Sequence, residues 1–133
     1  MSLEDTADKF DKSLHHIEEM IMRLQKMPTE ELLWDVVVAC QHEPFVTYSG
    51  LPFTYELRRG KNGEYTKELW IDRREKSKSL AWSSVRLAFE KVKNGKITVN
   101  RPKALGDIRG ISYIYALFLR FGLIEAEKGV KER

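Results

Sequence analysis

The chain has 133 residues, of which 42% are hydrophobic and 32% are charged, and its formal net charge is +3. This length suits one domain with its own core, and the composition excludes a chain that is disordered throughout. The only cysteine, Cys40, excludes an intramolecular disulfide, and the charged residues 1–12 predict no secretory signal, so we expect a cytoplasmic protein.

The first predicted element is a helix over residues 5–27 with one narrow apolar stripe. Its apolar residues recur at alternating spacings of four and three, which is typical of a helix that packs along one seam. They are Phe10, Leu14, Ile17, Ile21 and Leu24. We interpret residues 1–27 as an acidic amphipathic arm and residues 28–133 as a single α+β domain. The stripe either packs on its own domain or contacts a second copy in a homodimer, and the pattern leaves both open.

A second helix is predicted over residues 29–42. Thr29 can cap its start, Glu30 and Glu31 fall in its first turn, and Pro44 prevents its continuation. The run of three valines over residues 36–38 is also compatible with a buried strand. We favour the helix and leave the strand open.

A β-hairpin follows, because apolar and polar residues alternate on both sides of a turn. The alternation covers residues 53–58 and resumes over residues 65–72, and the glycines at 60 and 63 suit the turn between them. Two strands alone are marginally stable, so the sheet needs a further strand or a covering helix. Residues 96–99 are the candidate third strand.

Two more helices are predicted after the hairpin. A charged connector over residues 73–78 leads into the first, with Ser77 or Ser79 as its cap. Its buried face consists of Val85, Ala88, Phe89 and Val92. The second covers residues 107–121 and is apolar most of the way round, so it should be central. Its most apolar stretch, residues 110–119, is about half of the roughly 20 residues that cross a bilayer, so no membrane partner is expected.

These elements predict an α+β fold. It has N-terminal helices, a small antiparallel sheet built on a β-hairpin, and two C-terminal helices. Composition and spacing alone therefore define the fold class, whereas the function depends on which side chains the fold brings together.

No motif in the sequence predicts catalysis. The sequence has no P-loop, no dinucleotide-binding glycine pattern, no zinc-protease motif and no cysteine pair for zinc. Cys40 and His42 are two residues apart, so on a helix they would not face each other. The acids of the hairpin lack the paired arrangement with a lysine that a metal-dependent nuclease needs. We therefore predict a protein that is not an enzyme and needs no cofactor or metal.

The charge is divided unevenly along the chain. Residues 1–56 hold 11 acids and 4 bases, whereas residues 57–133 hold 9 acids and 19 bases. Cations cluster before each of the last two helices, where helix-start amides and positive charge suit a phosphate group. The predicted nucleic-acid or anion-binding residues are Arg73, Arg74, Lys76, Lys78, Ser79, Arg101, Lys103 and Arg109. Tyr55, Tyr65 and Trp70 are candidates for stacking on bases if they are exposed.

This pattern permits two functions. The first is a regulatory or accessory nucleic-acid-binding protein that uses a basic surface. The alternative is a protein–protein interaction module that dimerises through the N-terminal helix and has no nucleic-acid or catalytic role. Its basic half would meet an acidic protein partner or the acidic arm of the chain itself. The sequence leaves both open.

Several segments of the sequence resemble a family of small bacterial proteins that have no assigned role. They are GLPFTYE at residues 50–56, REKS at 74–77 with SSV at 83–85, and PKALG at 102–106 with GISYIY at 110–115. The resemblance covers residues 44–124 and leaves out the acidic first helix. It implies that residues 44–124 form one structural unit and implies nothing about chemistry.

Overall fold

The computed structural model describes the backbone of residues 3–73 and 78–126 and, within these ranges, the side chains from His15 onward. The chain divides into two compact units, Met1–Cys40 and Gln41–Arg133. The boundary predicted after Met27 lies inside the first unit. Two predicted site residues, Arg74 and Lys76, and the candidate cap Ser77 lie outside the described residues.

The first unit consists of two helices, α1 (Leu3–Lys26) and α2 (Glu30–Ala39), which contact each other. The apolar stripe of α1 is buried at Ile17, Ile21 and Leu24. The side chains of Phe10 and Leu14 lie outside the described ones. Burial of the stripe within a single chain is one of the two alternatives that the spacing left open, and the homodimer stays a prediction.

The start of α2 follows the capping chemistry of its sequence. Thr29 is extended, and its hydroxyl accepts a hydrogen bond from the backbone N–H of Leu32 at 3.2 Å. The helix buries Leu33, Val36 and Val37. Residues 30–39 are therefore a helix and not a strand, so the valine run is buried on a helical face.

The second unit is built on a four-stranded antiparallel sheet in chain order. Its strands are β1 (Phe45–Val46), β2 (Pro52–Glu56), β3 (Glu68–Arg73) and β4 (Lys78–Ala81). Alternate residues of the strands point into the core, with Phe53, Tyr55, Leu69, Ile71 and Leu80 buried. The β2–β3 hairpin and the α+β fold class are confirmed.

The prediction that residues 96–99 form the third strand of this sheet is wrong. Residues 97–99 do form a strand, β5 (Ile97–Val99), but it pairs in parallel with β6 (Ile124–Ala126) in a separate two-stranded sheet. The third strand of the hairpin sheet is β4, a segment interpreted from its sequence as a connector. Only Leu80 of β4 is buried, so the strand is too short and too polar to show an alternating pattern.

The helix α3 (Trp82–Val92) follows β4 directly and buries the predicted face, together with Trp82. Ser79 does not cap this helix, because it lies in β4 opposite Trp70. The N-cap position is occupied by Ala81, and no side chain caps the helix. The predicted capping by Ser79 is therefore wrong, since the N-cap position lies two residues further along, at Ala81.

The helix α4 (Ile111–Arg120) begins four residues later than predicted, after a short 3-10 helix (Pro102–Leu105). It buries seven of its ten residues, which agrees with the predicted central position. Within the described part of the chain, no helix combines the length and the apolar character needed to cross a membrane.

Gly110 explains why α4 begins where it does. Its φ of 78° lies in the left-handed region, where residues with a Cβ are disfavoured. A Cβ at this position would also lie 2.5 Å from Cδ1 of Leu80 in β4. The absence of a side chain therefore permits both the turn into α4 and the close approach of β4.

Replacing Gly110 by alanine should destabilise the protein by roughly 2–4 kcal/mol, since it adds left-handed strain and forces Leu80 to move. The control is Gly63→Ala, which has a φ of 83° but meets no atom within 4 Å, and which should cost only about 1–2 kcal/mol. Urea titrations of both variants measure the difference. Equal losses would show that contact with Leu80 contributes nothing.

Candidate functional site

The cations of the two predicted clusters that fall among the described residues line two adjoining grooves in the second unit. The larger groove has a volume of about 650 Å³ and the smaller one about 300 Å³. Both are lined by Lys78, Gly110 and Tyr113, so they adjoin at these residues. We call them together the cationic groove. The cations that line it are Arg73, Lys78, Arg101, Lys103 and Arg109.

The charge in the cationic groove is poorly balanced. Among the described residues, Asp107 is the only acid that lines it, against five cations. Apart from Arg73, these cations form no ion pair with an acid in residues 41–73 or 78–126. Lys93, directly after α3, in contrast lies 2.9 Å from Glu90. The groove therefore concentrates positive charge on a concave surface, which favours an anionic ligand.

Tyr113 holds one side of the groove in place. Its ring packs edge-on against Phe53 at 5.1 Å between centroids, and its side chain is almost wholly buried. The guanidinium of Arg73 donates a hydrogen bond to its hydroxyl at 2.7 Å, and the ammonium of Lys78 lies 6.0 Å from its ring centre. Tyr113 thus links the end of β3 to the first turn of α4 and positions two of the cations.

Two helices begin at the smaller groove. Ala81 and Ser84 at the start of α3 line it, as does Gly110 at the start of α4. Neither start is capped by a side chain, so the positive ends of two helix dipoles lie beside Lys78 and Arg109. Ser79, predicted as part of the site, lines this groove as an exposed residue of β4.

The larger groove also carries apolar side chains that the sequence analysis missed. Tyr48 is 37% exposed and Leu51 is 53% exposed, and both lie in the turn between β1 and β2. Thr47 holds this turn, because its hydroxyl accepts a hydrogen bond from the backbone N–H of Leu51 at 3.0 Å. The available signal was the presence of large apolar residues in a glycine-containing turn, where no periodicity requires their burial.

The three aromatic residues proposed from the sequence for stacking on bases are either buried or in contact with an arginine. Tyr55 is fully buried, so it does not meet the condition of exposure. The guanidinium of Arg59 lies 4.3 Å from the ring centre of Tyr65, and that of Arg58 lies 4.1 Å from the ring of Trp70. These rings take part in cation–π contacts within the hairpin, and neither lines the cationic groove.

Behind the groove, Tyr115 is buried in an unusual environment. Its ring packs edge-on against Tyr48, with 5.6 Å between centroids. Within the described residues its buried hydroxyl has no hydrogen-bond partner. Burial, and secondarily the charge of Tyr48, raises the pKa of Tyr115 above its usual value of 10.0.

Comparisons of the chain with models of protein families, with curated proteins and with solved structures found no match. The resemblance to small bacterial proteins therefore stays a prediction.

Replacing Tyr115 by phenylalanine should stabilise the protein at neutral pH by about 1 kcal/mol, because it removes a desolvated hydroxyl without a partner. The matched control is Tyr113→Phe, which removes a hydroxyl that is hydrogen-bonded to the charged Arg73 and should instead destabilise by roughly 1.5–3 kcal/mol. Denaturant titrations of the three proteins provide the measurement. A destabilised Tyr115→Phe variant would mean that its hydroxyl has a partner.

The raised pKa of Tyr115 also predicts a pH dependence. The unfolded chain releases this proton near pH 10, whereas the folded chain retains it to higher pH. The stability linked to this proton of Tyr115 is therefore fully present below about pH 10, and the free energy of unfolding falls as the pH rises further. The free energy of unfolding of Tyr115→Phe should fall less steeply above this pH. Parallel curves for the two proteins would contradict the assignment.

Proposed function

We propose that this chain binds nucleic acid through the cationic groove, as a regulatory or accessory protein and not as an enzyme. The observation that carries the proposal is that five cations line two adjoining grooves that only one acid of the described chain also lines. A polyanion can contact several of these cations at once, and each phosphate contact releases bound counterions.

The groups beside these cations also suit phosphate oxygens. Lysine, arginine and serine side chains and the starts of helices make most of the phosphate contacts in protein–DNA complexes. The smaller groove combines Lys78 and Arg109 with Ser79 and Ser84, next to the two uncapped helix starts. These contacts fix a nucleic-acid backbone without reading its sequence, so we expect weak sequence preference.

An acidic protein partner is the competing ligand, because carboxylates pair with the same cations. Phosphates differ from carboxylates in their regular spacing along the backbone. For this reason the logarithm of the binding constant falls steeply and linearly with the logarithm of the salt concentration. The slope of this dependence reports the number of phosphate contacts, so a change of slope in a groove variant shows whether those contacts are made in the cationic groove.

The double variant Arg101→Ala with Lys103→Ala should weaken the binding of a labelled oligonucleotide roughly tenfold, or about 1.4 kcal/mol. Both residues are exposed, so the loss should come from charge and not from unfolding. Fluorescence anisotropy between about 50 and 200 mM salt should also give a slope smaller by about 1.4 for a single strand, since each lost contact removes about 0.7.

The matched control is Lys61→Ala with Lys96→Ala, which removes the same net charge from exposed residues that do not line the cationic groove. It should leave both the affinity and the slope nearly unchanged. An equal effect of the two double variants would point to net charge in general. Absence of binding at low salt by the unaltered protein would refute the proposed function.

A further inference from the structure

The larger groove presents exposed apolar surface directly beside its cations. Tyr48 and Leu51 line it together with Arg73 and Arg101. Both apolar residues stay exposed although the unit buries a large aromatic core, and the hydrogen bonds of Thr47 hold them at the tip of the turn. A ligand that suits this groove needs an apolar face a short distance from a negative charge.

Unstacked nucleotides have this combination, whereas a double helix does not. In a duplex the faces of the bases are covered by stacking, so that only phosphates, sugars and base edges are accessible. In a single strand the bases can turn outward and stack on an aromatic side chain while the backbone follows a positive groove.

The shape of the site points the same way. Recognition of a duplex places a helix or a β-ribbon in the major groove, which requires an element that protrudes with basic side chains. Of the two helices that begin at the smaller groove, α4 is mostly buried. The exposed residues of α3 include Arg86 and Lys91 beside Leu87 and Glu90, and none of these four residues lines the cationic groove.

We infer that the cationic groove selects single-stranded nucleic acid, with a base against Tyr48 and Leu51 and the neighbouring phosphates on the cations. This inference rests on the proposed function and adds the class of nucleic acid. The larger groove, at about 650 Å³, falls within the roughly 300–1,000 Å³ of sites that enclose small ligands. It can therefore accommodate unstacked bases, and a double helix can only cross its rim.

The first test compares one oligonucleotide as a single strand and as a duplex, at equal salt and in DNA and RNA forms. The single strand should bind at least about tenfold more tightly, because stacking of one base typically contributes about that factor. Either sugar satisfies the inference. A duplex that binds as tightly as the single strand overturns it and leaves the proposed function intact. If neither form binds at low salt, the proposed function itself fails.

The second test separates stacking from charge. Tyr48→Ala should weaken single-strand binding roughly tenfold without altering the salt slope, since no phosphate contact is lost. Duplex binding should change little. Tyr48→Phe keeps the ring and should bind like the unaltered protein. The matched control is Val46→Ala, an apolar residue of the same hairpin that is 60% exposed and does not line either groove.

Tyr48 also packs against Tyr115, so circular dichroism and thermal unfolding must show that Tyr48→Ala is folded. Leu51→Ser provides a second variant, because Leu51 is more than half exposed and its backbone hydrogen bonds do not depend on its side chain. It should weaken single-strand binding by about threefold to tenfold. Unchanged binding in folded Tyr48→Ala and Leu51→Ser, or equal losses for single strand and duplex, would overturn the inference.

Discussion

The arrangement of the second unit depends on the close approach between Gly110 and Leu80. Gly110 adopts a left-handed conformation that starts α4, and no space is left for a Cβ between it and the side chain of Leu80. Because Leu80 is the buried residue of β4, this contact fixes the edge of the sheet against the start of the helix. Both parts of the cationic groove border Gly110, so the geometry of the groove follows from a backbone constraint in the core.

Tyr113 transmits this constraint to the charged side chains. Tyr113 lies in the first turn of α4. Its ring packs on Phe53 of β2, while its hydroxyl accepts the hydrogen bond from Arg73 at the end of β3. A hydrogen bond to a charged group contributes roughly 1.5–3 kcal/mol and has a defined direction, so it restricts where the guanidinium can lie. The groove is thus lined in part by a cation whose position depends on a buried aromatic residue, and not only by mobile surface lysines.

The sequence predicted what local periodicity and turn chemistry determine. The first helix, the Thr29 cap, the β2–β3 hairpin and the buried face of α3 all follow from residues close together in the chain. The strand β4 and the pairing of β5 with β6 depend on distant partners, and β4 has a single buried residue. Likewise, the cations were predicted as two clusters, whereas their union requires contacts such as Arg73 with Tyr113, forty residues apart. Tyr48 was missed because exposure at a turn leaves no periodic signal.

The uneven charge of the chain becomes informative only after the cations are sorted by their surroundings. Outside the groove, Arg58, Lys93 and Lys96 form ion pairs with acids at 3.2, 2.9 and 3.6 Å. Such exposed pairs contribute only about 0–1 kcal/mol to stability, but each offsets positive charge locally. Beyond a screening length of about 8 Å in physiological salt, a neutralised pair attracts little. The cationic groove, where Asp107 alone among the described lining residues opposes five cations, therefore attracts a negative charge more strongly than these paired cations do.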